Sequence, residues 1–239
     1  MSENQVKREP LYDQAYNKIK TSITTRKYSP GERLTDSRIA KEISISRTPV
    51  REAIKQLVQE GLLVNLPNRG VSVFNPTNKD IAEIYILRAS LEGIAAGLAA
   101  SNERRKSYLY YMIEKLEESK SAVKDNNLPL IIENNIKFHD YLIQASESER
   151  LIDILETLRT KSYLIRSHSL LQESHYLTSI KEHDQIFEMI KNGESLQAEN
   201  YVRNHILAAG FRNLSLLELS ESNNEHLLHF YKDRESEFK

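Results

Sequence analysis

The 239-residue chain reads as mainly α-helical and in two parts. An N-terminal helix leads into a helix-turn-helix with a small β-hairpin wing. A C-terminal all-α antiparallel bundle follows. Three observations predict this. Glycine is scarce, at about 3% against a typical figure of about 7%, which favours long helices over a many-stranded sheet. Apolar residues recur at helical spacing through both parts. Two short β-prone runs flank a stretch rich in turn formers.

Taken in order, Leu11, Ala15, Ile19 and Ile23 give a first helix one apolar face. Ser29-Pro30-Gly31 breaks it. Thr35 or Asp36 can cap a second short helix that turns Ile39, Ala40 and Ile43 inward. After a tight connection at Ser44–Ser46, a third helix carries Val50, Ala53, Ile54, Leu57 and Val58 on one face. Ser46 or Thr48 can cap it, and Pro49 falls in the first turn, where a missing N–H costs nothing. Gly61 suits the position beyond its end. Leu62–Val64 and Val71–Phe74 then make a two-stranded wing around Asn65–Gly70. Asn75-Pro76-Thr77-Asn78 is the linker. Helices are predicted over 79–101, 104–124, 127–146, 148–168, 175–192 and 195–220, with polar breaks between them. The domains are thus residues 1–77 and 78–220, with 221–239 a polar tail, frayed or loosely docked.

The formal net charge of −1 hides two opposite halves. Residues 1–77 hold 13 Lys+Arg and 8 Asp+Glu, a net of +5; the remainder carries −6. A basic N-terminal half suits an anionic partner such as DNA. The absence of Cys excludes a disulfide scaffold, a thiol nucleophile and a Cys-ligated metal. The first 30 residues have no apolar core segment, so no signal peptide is expected. The most apolar window, Ile81–Ala100, carries Glu83, Arg88 and Glu92, which fits a buried helix and not a bilayer span. A cytoplasmic protein is expected.

Arg47, Thr48 and Arg51 fall at the start of the third helix, where a recognition helix meets base edges and phosphates. Arg69-Gly70 at the wing tip lets the backbone approach a minor groove with Arg inserted. The segment from Ser29 to Phe74, above all SRTPVREA, EGLL and the Arg-Gly of the wing, resembles the winged-helix domain of the GntR family of bacterial transcription regulators. The resemblance implies a homodimer on a pseudo-palindromic double-stranded operator, contacted by Ser46, Arg47, Thr48, Arg51, Arg69 and Gly70. Family members often place an acidic residue followed by a DNA-contacting Arg at the start of the second helix. Here Asp36-Ser37 stands there, and Arg38 comes one residue later, about 100° further round the helix.

His139, His183 and His205 lie on three predicted helices amid apolar neighbours, with Asn135 one turn before His139. Three imidazoles and an oxygen donor can build a bundle-core metal site. The motifs LRASLEGIAAGLAA, FHDYLIQAS, EHDQIFEMIKNGESLQAE and NHI resemble the helical FCD effector domain found in the FadR-like branch of the same family. That resemblance implies a divalent metal held by an Asp-x-x-x-His pair and two later His. The positions are Asn135, His139, His183 and His205, with Asn replacing the Asp. Zinc is the default for His ligands, with nickel or manganese as alternatives. The resemblance further implies a small carboxylate effector, held in part by Arg88, which could otherwise simply pair with Glu92. Tyr85, Tyr163 and Arg166 are further candidates for the pocket.

The leading function is therefore a ligand-responsive transcription regulator, a repressor as most relatives are, and not an enzyme. A metal-dependent hydrolase using the three histidines is a second reading; Glu182 and Asp140 are its only nearby bases, and HExxH and a Gly-rich phosphate loop are lacking. A DNA-binding protein with a purely structural dimerisation bundle is a third.

Overall fold

In the computed structural model, which describes residues 9–67, 69–170, 172–215 and 225–234, helix α1 (Leu11–Thr24) buries Ala15, Ile19 and Ile23. Leu11, the first member of the predicted apolar face, lies in the opening turn and is exposed. Helix α2 (Asp36–Ile43) starts at Thr35, whose side chain accepts from the Arg38 N–H. It stops at Ser44 in the left-handed region (φ 57°), a C-terminal conformation that turns the chain sharply into α3 (Arg47–Gln59). Val50, Ala53 and Leu57 of α3 close the core against α1 and α2.

Strands β2 (Leu63–Leu66) and β3 (Gly70–Val73) pair antiparallel, with Leu63 opposite Val73 and Leu66 opposite Gly70. A further strand, β1 (Arg33–Leu34), pairs with the other edge of β3, so the sheet has three strands in the order β1-β3-β2. The sequence predicts only the hairpin, because a two-residue strand is too short to show periodicity. Gly70 is needed here for steric reasons. Its φ is +82°, and a Cβ would come within 2.5 Å of the Leu34 carbonyl oxygen.

The contacts divide the chain into two units, Met1–Asn75 and Pro76–Lys239. The second unit starts with a capping box: Thr77 caps α4 (Asn78–Ser101) and Asp80 reaches back to the Thr77 N–H. A 3₁₀ turn (Glu103–Arg105) leads to α5 (Lys106–Lys124), α6 (Leu128–Ala145), α7 (Glu149–Ser169), α8 (Glu173–Asn192) and α9 (Ser195–Ser215). Helix α4 buries most of its surface, leaves one face with Leu87, Ile94 and Leu98 exposed, and packs most extensively on α9. Their approach is close: a Cβ on Gly210 would meet the Tyr85 Cβ at 2.8 Å.

Of the predicted tail, 225–234 are among the described residues. They contain α10 (Glu225–Lys232), whose Tyr231 is fully buried and donates to the Ala82 carbonyl at 3.1 Å. That stretch is therefore docked on α4 by an aromatic side chain that a polar composition conceals. The fold class is mainly α, a winged helix-turn-helix followed by a helical bundle.

Candidate functional site

The first unit gathers its exposed polar groups at the start of α3. Ser46, Arg47, Thr48 and Arg51 are all exposed there, and Ser46 makes no side-chain cap bond. Arg47 and Arg51 converge on the Asp36 carboxylate, Arg47 at 3.0 Å. The Arg51 hydrogen bond, then Arg47, holds the Asp36 carboxyl below its ordinary range. Arg38 is turned into a different cluster. It pairs with Glu32 and Glu42, each at 2.8 Å, over the ring of Tyr28. Arg69 and Gly70 are exposed at the wing turn, where the Arg69 N–H closes onto the Leu66 carbonyl.

The second unit brings His139 of α6, His183 of α8 and His205 of α9 together in its interior, with one ring nitrogen of each within 4.8 Å of the others. His139 Nε2 lies 3.1 Å from His183 Nε2 and 3.4 Å from His205 Nε2. The opposite edges of two rings are fixed by carboxylates. His139 Nδ1 meets Glu92 at 2.7 Å, and His205 Nδ1 meets Glu182 at 2.6 Å. A carboxylate only accepts, so each Nδ1 carries a proton, and in its neutral form each imidazole then turns the Nε2 lone pair toward the other rings. The 3.4 Å contact between the two Nε2 atoms is satisfied by a shared proton or by a metal cation standing between them.

The two distances from His139 also suit a metal. Zn–N bonds of about 2.0–2.1 Å at tetrahedral angles put nitrogens about 3.3 Å apart. His183 is braced by stacking on Phe138 (4.1 Å between ring centres). Asn135 lines the same pocket, its amide donating to Ser179 at 2.8 Å, and Ser179 Oγ is 3.4 Å from His183 Nε2. The predicted four residues are thus brought together.

Glu92, Ser179 and His175, which also lines the pocket, were not legible as site residues, and Glu182, named from the sequence only as a base for the hydrolase reading, instead holds the His205 ring. Glu92 and Glu182 approach the histidines from other helices, so only tertiary structure pairs them. Burial pushes the Glu182 carboxyl up, but the His205 hydrogen bond and the Arg212 charge outweigh it and hold it below its ordinary value.

Arg88 is buried and donates to Glu92 at 2.7 Å. Desolvation works against its charge, and Glu92 more than restores it. Arg88 lines two cavities. One, of about 30 Å³, is the histidine pocket, which Tyr85 also lines. The other, of about 350 Å³, lies between α4, α6 and α7 and is lined by Tyr163. The Arg166 side chain lies outside the described residues. No helix among the described residues is long and apolar enough to cross a membrane.

A winged helix with an exposed basic recognition face, joined to a helical unit with a histidine-lined interior, defines a DNA-binding transcription regulator with a separate sensor domain. The family model described as bacterial regulatory proteins, gntR family, matches residues 11–73, and the FCD domain model matches residues 83–208. The chain belongs to the GntR family of bacterial regulators, in the group that carries an FCD domain. It is 32% identical to the HTH-type transcriptional regulator YdhC of Bacillus subtilis (strain 168), over 82% of this chain and 88% of that protein. It is 24% identical to the HTH-type transcriptional repressor RspR of Escherichia coli (strain K12), over 83% and 86%. Among solved structures, a GntR regulator from Rhodococcus sp. RHA1 shares the fold with a TM-score of 0.72 at 22% identity, covering 85% of this chain and 97% of that one.

Proposed function

We propose that this regulator is a cytoplasmic, homodimeric repressor whose grip on a pseudo-palindromic operator is set by a divalent cation and a small organic acid in the helical domain. Residues 1–77 form the reader and 78–220 the sensor. The observation that carries the sensor reading is the convergence of His139, His183 and His205, with the Nδ1 atoms of two of them anchored on Glu92 and Glu182. His139, His183 and His205 would hold the cation, with Asn135 supplying an amide oxygen. Zinc suits the imidazoles best; an amide in place of a carboxylate lowers the affinity and leaves nickel or manganese as competitors. When bound, the cation supplies open coordination positions and positive charge beside Arg88. Arg88 would help hold the acid. An acid alters DNA binding only if its affinity differs between the DNA-bound and DNA-free forms.

Ser46, Arg47, Thr48, Arg51, Arg69 and Gly70 would form the DNA face. The ion pairs of Arg38 with Glu32 and Glu42 favour a supporting role for it over base contact. Support for the dimer comes from Leu87, Ile94 and Leu98, which leave an exposed apolar stripe along α4, with Ile154 of α7 exposed as well. The family relatives are named as regulators and repressors, which favours a non-enzymatic role over hydrolysis at the histidines.

Metal analysis of the purified chain, followed by gel shifts before and after chelation, tests the reading. Stoichiometric metal and a chelation-sensitive operator affinity are expected. A metal-free chain that chelators leave unchanged sinks the cation assignment.

A further inference from the structure

We propose that the chamber between α4, α6 and α7 binds a small organic monocarboxylate with an apolar or aromatic body, and that Arg88 and Glu92 couple its occupancy to cation binding at the histidines. The proposal rests on the metal reading above and moves the organic ligand off the cation into a separate cavity.

Room is the first argument. The histidine pocket, at about 30 Å³, holds little more than an ion or a water, whereas the chamber offers about 350 Å³. Chemistry is the second. Arg88 is 3% exposed, and beyond its Nε bond to Glu92 its guanidinium makes no other hydrogen bond among the described residues. An open guanidinium edge in a buried wall matches a carboxylate bidentately. Ser162, 4% exposed, lines the same chamber, and its Oγ has no hydrogen-bond partner among the described residues. A buried hydroxyl left this way destabilises the fold until a ligand bonds to it.

The remaining lining sets the ligand's character. Lys137 is paired with Glu133 at 2.6 Å, and Arg159 with Asp140 at 3.0 Å and Glu156 at 3.1 Å. Those cations are already matched, so the walls favour one negative charge over a phosphate or a tricarboxylate. Ile136, Leu155, Tyr141 and Tyr163 supply apolar and aromatic surface for the ligand's body.

Coupling follows from connectivity. Arg88, Glu92 and His139 are linked in series by two 2.7 Å contacts. An anion on the other edge of Arg88 takes up part of its positive charge while the Nε bond to Glu92 stays in place, which leaves more carboxylate charge for the His139 Nδ1–H and raises the basicity of Nε2. Anion and cation therefore favour each other, and by the same factor in both directions.

The test is calorimetry on the full chain, zinc-loaded and chelator-treated, with benzoate, phenylacetate and 4-hydroxybenzoate as probes and citrate as the contrast. At least one aromatic acid is expected to bind the zinc-free chain saturably, and about five-fold or more tighter with zinc. Ser162→Leu should weaken that binding by roughly tenfold or more while zinc affinity holds and the melting temperature does not fall. Binding that vanishes with zinc and survives Ser162→Leu would place the acid on the cation and overturn the chamber. Equal affinity with and without zinc overturns the coupling. No saturable binding of the three acids at millimolar concentration overturns the ligand class. Zinc is titrated separately on the same preparation, so failure of the metal reading registers apart from failure of the chamber.

Discussion

Asp36 and Glu92 grip guanidinium groups in two different solvents. Asp36 holds Arg47 and Arg51, whose side chains are 57% and 59% exposed. Glu92 holds Arg88 and His139 with all three nearly sealed from water. Exposed pairs contribute about 0–1 kcal/mol and exchange readily, so phosphate or guanine can replace Asp36 at little cost. Buried pairs cannot let go without leaving an uncompensated charge, so Glu92 fixes geometry. The reader is built to swap partners and the sensor core to keep them.

The sharpest way to break that contrast is Glu92→Ala. It strands Arg88 and frees the His139 ring, and should cost about 3–5 kcal/mol in chemical denaturation. A loss under about 1 kcal/mol would put Glu92 in the same class as Asp36. In the reader, Arg47→Ala and Arg51→Ala should each weaken operator binding by about 1–3 kcal/mol at fixed salt. Stability should move by no more than about 0.5 kcal/mol. Unchanged gel-shift affinity for both would remove the DNA face from α3. Glu182→Gln should lower zinc affinity about 10–100-fold by loosening His205, read by competition with a chromogenic chelator.

Asp36→Asn is the smallest effect, under about 1 kcal/mol in stability because the partners are exposed. The Asp36 carboxyl is held below its ordinary value of 3.8. Its contribution is therefore present above that value and fades as pH falls through the lower, folded one. A carbon-detected NMR titration should find its midpoint below 3.8. A midpoint at or above it would show that Arg47 and Arg51 do not engage it in solution.

The sequence made the helices legible because their apolar spacing is a local signal. Val50, Ala53 and Leu57 were placed inward from three- and four-residue intervals alone, and all are buried. The ring atoms of His139, His183 and His205 do converge, a meeting that their motifs implied. What stayed hidden depends on neighbours distant in the chain. Glu182 precedes His183 in sequence yet serves His205, and Glu92 looked like a helix partner of Arg88 before His139 arrived from α6. Strand β1 is two residues long and exists only because β3 offers it an edge. Tyr231 belongs to a brief apolar cluster with Leu227, Leu228 and Phe230 inside a polar tail, too short to mark which of its residues is buried.

The packing of α4 against α9 has a consequence for how the chain matures during synthesis. Gly93 on α4 sits against the Glu199 carbonyl, more than a hundred residues downstream, so this largely buried helix must wait for a late partner. The reader's core needs only its own first 75 residues and so can close while the ribosome is still making the sensor. A nascent chain thus passes through an interval in which a basic reader is complete but its regulator is not. In that interval α4, with its run of alanines, is the segment a chaperone would be expected to cover.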